Sequence, residues 1–355
     1  MNVCHVTEAS DPGFGGLYTA TQGLVRALKE HQHIESVVRA GHAIDGCSSA
    51  DLCHAHGMWA GSAFVSLAWR FRHRRPLIVA PHGMLDPWAL EQSAAAKKAA
   101  LATYEGLRLR TATCLHALCE AELASIRRLG KDLPAFVVPN GVDIPDANQV
   151  RAMCESAAKR QDRRTLLYLG RIHAKKGLEL VLGGFASAAT ADPRLRDEWT
   201  VEICGSGDAD YIAKLQRLSS DLGLSGVVRF AGPVAGEEKE SRLTTATAFV
   251  LTSLSEGLPM AVLEAWAHGL PSLISEACNL SAPATTGAAL LTNATMPAVT
   301  IGLGELLHMN ENDRLEMGAR ARAYVERVHP WARVASRMAA IYRWAIDGGQ
   351  RPDEI

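Results

Sequence analysis

Ser253-Leu254-Ser255-Glu256-Gly257-Leu258-Pro259-Met260-Ala261-Val262-Leu263-Glu264-Ala265-Trp266-Ala267-His268-Gly269-Leu270-Pro271 reads as a loop, a helix and a stop. The run before it, Ala246 to Leu254, is apolar and rich in strand formers, so a buried strand feeds the loop. Pro259 suits the first helical position, where its missing N–H is not needed. Gly269 followed by Pro271 ends the helix, and Pro271 to Ser275 starts the next strand. In this layout the N–H groups of Met260 and Ala261 lie in the opening turn without intrahelical partners. Together with the helix dipole they make a site for an anion such as a phosphate. Glu264 follows on the same face and leans back toward the N-terminus. A carboxylate beside a phosphate makes sense if it accepts hydrogen bonds from hydroxyls of the same ligand, such as a ribose diol. Glu256, in the loop, is placed for a second set of hydroxyls. Phosphate flanked by two polyols describes a nucleotide sugar. The bland alternative makes Glu256 a dipole-balancing acid and Glu264 a solvated helix residue.

The stretch resembles the E-x7-E signature of retaining glycosyltransferases, family 4 in particular, which have the GT-B fold. The resemblance implies two doubly wound, Rossmann-like parallel-sheet domains of α/β class facing across a cleft. The expected boundaries are residues 1–150 for the acceptor, 151–328 for the nucleotide sugar, and a segment 329–355 whose helix crosses back to the first domain. A length of 355 residues suits two domains, each with its own core. Hydrophobic residues are 48%, charged residues 21% and formal net charge is -1, which suits a globular protein and gives no support to nucleic-acid binding. The 8 cysteines include no CxxC pair, and several fall in apolar runs; they read as buried free thiols of a reducing cytoplasm rather than disulfides or zinc ligands. Met1 to Ser10 reads as a first strand rather than a signal peptide, and no apolar run is long enough for a bilayer. The sequons at Asn279 and Asn293 are discounted for a cytoplasmic chain.

Strands and helices alternate along the whole chain, the pattern of parallel sheets covered on both faces. After the first strand comes Asp11-Pro12-Gly13-Phe14-Gly15-Gly16 and a helix from about Thr19. Gly15 and Gly16 match the family's glycine loop, where backbone approaches a phosphate or sugar; the spacing fails the dinucleotide fingerprint. His54 and His56 share one strand face and could be a metal pair, but no third ligand is evident, so they read as core or acceptor-side histidines. Arg70, Arg72, Arg74 and Arg75 follow an apolar helix beside aromatics. They form either a membrane-docking patch or a solvated helix end. His82 follows the buried-type strand Pro76–Pro81. The family often carries a histidine here, close to the transferred sugar. Its better-known members follow it with Asp, where this chain has Gly83, and a role for the nearest acid, Asp86, stays open. PHGMLDPWAL (81–90) resembles a subgroup of bacterial surface-polysaccharide synthesis.

A helical region is expected over Ser93–Leu109, then a strand near Thr113–Leu118. Glu120 and Glu122 open the next helix as dipole caps or acceptor contacts. Pro139-Asn140-Gly141-Val142-Asp143 matches an element near the family's interdomain crossing, and 146–165 has linker-like polarity. Thr165–Ile172 opens the second domain. Arg171 and Lys176, in G-R-x4-K-G (170–177), then pair a planar fork of donors with a point charge, suited to a diphosphate. Asp208-Ala209-Asp210 looks like a metal-binding D-x-D but reads as a helix cap. In the family the backbone of the next strand meets the nucleotide base, which makes Phe230, within Arg229–Ala231, a candidate.

The implied reaction is metal-independent glycosyl transfer with retention. Its donor is a nucleoside-diphosphate sugar and its acceptor a glycan or lipid-linked molecule, with no cofactor and no metal. Glu256, His82, Arg171 and Lys176 are the candidate catalytic residues. Gly15, Gly16, Arg171, Lys176, Phe230, Met260, Ala261 and Glu264 are the candidate donor-binding ones. The enzyme would be cytoplasmic or peripheral on the inner membrane face. An epimerase or phosphorylase of the same fold, or a catalytically silent sugar-nucleotide-binding subunit, remains the alternative.

Overall fold

The computed structural model describes residues 1–9, 11, 15–40, 47–59, 61–130, 134–150 and 163–352. Most of the glycine loop before Gly15 and most of the expected linker therefore lie outside the described residues, as does Cys154. The chain falls into two compact units. The first comprises Met1–Gly141, Glu256–Leu258 and His329–Ile355, and the second Val142–Ser255 and Pro259–Val328.

The first unit carries a six-stranded sheet of order β2-β1-β3-β4-β5-β6. Its strands are β1 (Asn2–Thr7), β2 (Glu35–Ala40), β3 (Leu52–His56), β4 (Leu77–Ala80), β5 (Cys114–Ala117) and β6 (Ala135–Val137). All pairs are parallel. β3 and β4 are buried along their whole length, as central strands covered on both faces must be. The strand order reverses between β1 and β3. At such a switch point the loops leaving the carboxyl ends diverge and open a crevice. The loops there lead to Gly15 and from His56. The Trp331–Asp347 helix also belongs to this unit, with the Trp331 ring set against Gly23 and Gly141, where any Cβ would collide with it.

The second unit carries a parallel sheet of order β12-β11-β10-β7-β8-β9. Its strands are β7 (Arg164–Leu169), β8 (Trp199–Cys204), β9 (Val228–Gly232), β10 (Ala248–Leu251), β11 (Ser272–Ser275) and β12 (Leu290–Thr292). Here the order reverses between β7 and β10, so the Arg171 loop and the loop toward Glu256 leave the switch point of this sheet. Asp208 Oδ1 accepts from the N–H of Tyr211 at 3.0 Å, so the D-x-D sequence is a helix cap.

One expectation is corrected and one refined. Cys4 on β1 is joined to Cys47 in a disulfide; the strand brings together thiols 43 residues apart, which scattered spacing did not reveal. Cys53, Cys114, Cys204 and Cys278 are buried and free, as expected. The helical region expected over 93–109 is present as two helices, Ala94–Ala102 and Tyr104–Thr111, and a separate short helix, Pro87–Glu91, precedes it. Thr103 divides Ala94–Ala102 from Tyr104–Thr111 because its hydroxyl donates to the carbonyls of Ala99 and Ala100 at 2.7 and 3.3 Å, in competition with the helix.

Candidate active site

In the second unit, β7 ends at Leu169 and the chain turns through Gly170 to Arg171. The Tyr168 hydroxyl donates to the Arg171 carbonyl at 2.7 Å, and the Ile172 N–H to Ser206 at 2.7 Å. His173 Nδ1 accepts from the Lys175 N–H and caps the short turn Ala174–Lys176. Gly177 has φ +66, and a Cβ there would collide with the Thr252 carbonyl, so glycine is required for two reasons. Thr252 Oγ1 donates to the Gly177 carbonyl at 3.0 Å, and the Leu254 N–H to the Lys175 carbonyl at 2.7 Å. The loop carrying Arg171 and Lys176 is thus tied to the segment that leads into Glu256. Arg171 is exposed and Lys176 half-buried. Burial, then the charges of Arg171, Lys175 and Lys176, hold His173 below its ordinary pKa. Three cations close together on one loop favour an anion.

The helix after the loop is Met260–Ala267, with Pro259 as its cap (φ -74, ψ 112) rather than its first residue. The N–H groups of Val262 and Leu263 return to the Pro259 carbonyl at 3.1 and 3.4 Å. Met260 and Ala261 still supply the opening donors of the helix. Glu264 is not a solvated residue. It lies largely buried with Oε1 2.9 Å from Lys239 Nζ, on the Gly236–Thr245 helix. Burial pushes its carboxyl up, and the Lys239 ammonium opposes that shift. Phe230 is half-buried on the edge strand β9; its neighbour Arg229 pairs with Glu202 at 3.7 Å.

In the first unit, His82 and Gly83 form a turn after β4 with φ 53 and 76. A left-handed histidine is strained backbone, which persists only where its surroundings hold it. Two groups do so. Glu122 accepts from the Gly83 N–H at 2.6 Å and the Leu118 N–H at 2.7 Å, and His56 Nδ1 lies 2.9 Å from His82 Nε2. Burial pushes the Glu122 carboxyl up to about 7, against those two backbone donors. Glu122 is therefore more than a dipole cap: it fixes the His82 turn. The loop Glu256–Leu258 belongs to this same unit, and its backbone packs on that turn. A Cβ on Gly83 would sit 2.6 Å from the Gly257 nitrogen and 3.1 Å from the Glu256 carbonyl carbon. This accounts for the glycine at position 83 of this chain. Glu256 is buried at the same place, 9% exposed. Asp86 caps the Pro87–Glu91 helix by accepting from the Trp88 N–H at 3.0 Å. Gly15 caps the Gly16–Gln32 helix with φ 61.

The structure thus gathers His82 with Glu256, and Arg171 and Lys176 with the strand-to-loop segment 252–254. Sequence reasoning missed Lys239 and the positioning role of Glu122. It also missed the third histidine beside His54 and His56, which is His5 on the paired strand.

Residues 151–323 match the family described as "Glycosyl transferases group 1", and residues 20–141 the "Glycosyl transferase 4-like domain". D-inositol 3-phosphate glycosyltransferase of Streptomyces bingchenggensis is 28% identical over 313 residues, 85% of this chain and 68% of that protein. The enzyme of that name from Streptomyces scabiei is 27% identical over 93% of this chain and 73% of its own length. Among solved structures, Anabaena HepE in complex with UDP and glucose superposes with a TM-score of 0.77 at 17% identity, covering 96% of this chain and 99% of that one. Sucrose-phosphate synthase of Thermosynechococcus elongatus does so with 0.79 at 18%, covering 98% and 100%. Both likenesses are of fold. Two parallel sheets of this order give the chain the GT-B fold, and the family matches over its two halves indicate a family 4-like glycosyltransferase.

Proposed function

We propose that this glycosyltransferase moves a sugar from a nucleoside-diphosphate sugar to a glycan or lipid-linked acceptor, with retention and without a metal, in bacterial surface-polysaccharide synthesis. The observation that carries the donor reading is the Arg171–Lys176 loop, tied by Leu254 and Thr252 to the switch point of its sheet. As the sugar leaves, negative charge grows on the diphosphate. Arg171, Lys176 and the N–H groups of Met260 and Ala261 are fixed donors for that charge, and fixed donors need no reorganisation during reaction. Such a clamp supplies the positive charge that a metal would otherwise bring. Glu264, braced by Lys239, takes the ribose hydroxyls; His82 and Glu256 hold the transferred sugar; Phe230 lies by the base; Gly15 and Gly16 offer backbone to donor or acceptor. The diphosphate then takes the acceptor's proton, so no further base is needed.

UDP and UDP-glucose occupy HepE crystals, so uridine donors come first in the test. Purified chain is incubated with nucleotide sugars and lipid-linked, glycan and inositol-phosphate acceptors in EDTA, and the anomeric configuration of the product is read by NMR. A new glycosidic bond of retained configuration supports the proposal. Loss of activity in EDTA with rescue by Mg2+ refutes metal independence. Epimerised donor with no new bond indicates the epimerase reading, and donor binding without turnover a silent subunit.

A peripheral membrane site belongs to the same reading. Phe64 and Phe71 are 55% and 56% exposed on the Gly61–His73 helix. Arg70 and Arg75 are held in place by the carbonyls of Thr111, Ser48 and Ala50 and keep their charge beside Arg72 and Arg74. No described helix is long and apolar enough to cross a membrane. Salt-sensitive sedimentation with anionic vesicles supports surface docking; equal binding to neutral vesicles counts against it.

A further inference from the structure

Five histidines meet inside the first unit. His5 on β1 and His54 on β3 are register partners on adjacent strands. His56 is two residues beyond His54, so its side chain leaves the same face. His5, His54, His56 and His116 are buried, and His82 borders them.

The hydrogen bonds form two runs. In one, His116 Nε2 lies 2.7 Å from the Val138 carbonyl, which can only accept, so that nitrogen carries the proton. His116 Nδ1 is then an acceptor, and His54 Nε2 donates to it at 3.3 Å. His54 Nδ1 in turn accepts from the Tyr342 hydroxyl at 2.7 Å. In the other run, His82 Nε2 faces His56 Nδ1 at 2.9 Å, and His56 Nε2 faces His5 Nδ1 at 2.9 Å. No carbonyl fixes the direction of this second run. It ends at His5 Nε2, which is buried and has no hydrogen-bond partner among the described residues.

We propose that His5, His54 and His56 form a binding site for one divalent transition-metal ion of the imidazole-preferring class, such as zinc or cobalt. One ring nitrogen from each lies within 4.8 Å of the other two. Tetrahedral zinc with bonds of about 2.0–2.1 Å sets its ligands roughly 3.3 Å apart. The 2.9 Å between His5 Nδ1 and His56 Nε2 therefore needs to open by only a few tenths of an ångström. The outer partners are already in place. A ligating histidine usually hands its other N–H to a neighbour that fixes the ring; His56 has His82 for this, and His54 has Tyr342 once its proton moves from Nε2 to Nδ1 and the hydroxyl turns to accept it.

The proton balance closes by tautomer shifts alone. The proton shared between His5 Nδ1 and His56 Nε2 moves to an outer nitrogen, and the proton on His54 Nε2 moves to Nδ1, in exchange for its bond to His116, which leaves one lone pair on each of the three rings for the ion. Three imidazoles and no carboxylate suit a borderline cation and not Mg2+ or Ca2+, which take oxygen ligands. This ion would therefore be a different one from any cation that accompanies a diphosphate. His56 also steadies His82, so occupancy would fix the ring that borders the sugar-binding turn.

The full chain, stripped with chelator, is dialysed against Zn2+ alone and its metal content, thermal midpoint and Co2+ absorption spectrum are measured. One equivalent of metal, a raised midpoint and a cobalt spectrum of low coordination number are expected. His5→Gln should lower the affinity at least about tenfold and leave the midpoint of the metal-free protein near that of the wild type. Substoichiometric metal overturns the proposal. So does unchanged affinity in His5→Gln, which would place the ion on exposed histidines such as His31 or His33. Should His5→Gln not fold, X-ray absorption on the zinc-loaded wild type decides: three imidazole ligands support the site, and fewer overturn it.

Discussion

Lys239 Nζ stands 2.9 Å from Glu264 Oε1, and the carboxylate it holds is 13% exposed. The pair fixes the orientation of a group whose burial alone would favour its neutral form. In the ribose-binding reading, a protonated or rotated Glu264 is a poorer acceptor. Lys239→Met should therefore weaken a nucleoside diphosphate by about tenfold, the scale of one charge-assisted hydrogen bond. Calorimetry with the bare diphosphate checks this. Unchanged or tighter binding would show that Lys239 competes with the nucleotide instead of bracing its acceptor.

How much of this was legible in the sequence follows from the range of each interaction. The strand, loop and helix around Glu256 and Glu264 were readable because Pro259, Gly269 and Pro271 punctuate a local pattern. The Asp208 cap was readable for the same reason: its acceptor and donor are three residues apart. Lys239 was not, since it sits 25 residues before its partner on another helix. Nor was Glu122, whose two bonds serve a turn 39 residues upstream as well as its own helix start. The Cys4–Cys47 disulfide and the approach of His5 to His54 depend on which strands pair, and strand order is not written in the spacing of single residues.

The packing of Gly83 on Gly257 gives a second expectation. Gly83 has φ +76, and an added Cβ would lie 2.6 Å from a backbone nitrogen, which cannot swing away as a side chain could. Gly83→Ala should cost about 1–3 kcal/mol, the scale of one strained backbone residue, and should lower kcat by displacing Glu256 or His82. A wild-type melting midpoint and wild-type turnover together would show that the two loops part freely.

Acid should destabilise the protein through His329. The ring is 1% exposed, and its Nδ1–H donates to the Asn140 carbonyl at 2.8 Å. Burial lowers its pKa from 6.5 to about 4. Above pH 6.5 neither state binds the proton and the contribution to stability is constant. Between about 6.5 and 4 the unfolded chain binds it and the folded chain does not, so stability falls with pH, by roughly 3 kcal/mol in all. His329→Asn keeps an amide donor for the carbonyl and removes the titration. Its melting midpoint should fall less than that of the wild type between pH 7 and pH 5, since every other buried group contributes equally to both proteins. Parallel curves would sink the argument.

The two glutamates of the opening motif belong to different units. Glu264 lies on the helix whose first N–H groups face the proposed diphosphate, and Glu256 lies in the loop packed on the His82 turn. Their roles should separate accordingly. Glu264→Gln should weaken both the bare nucleoside diphosphate and the intact sugar nucleotide, because the ribose is common to them. Glu256→Gln should leave the bare diphosphate nearly untouched and lower kcat, because its contacts are to a sugar that shifts as the bond breaks. A hydrogen bond to a charged group contributes about 1.5–3 kcal/mol, or about ten- to a hundredfold. Calorimetry with both ligands, together with turnover, reads each effect by itself. If Glu256→Gln loses diphosphate affinity as badly as Glu264→Gln, the assignment of ribose to one carboxylate and sugar to the other is wrong.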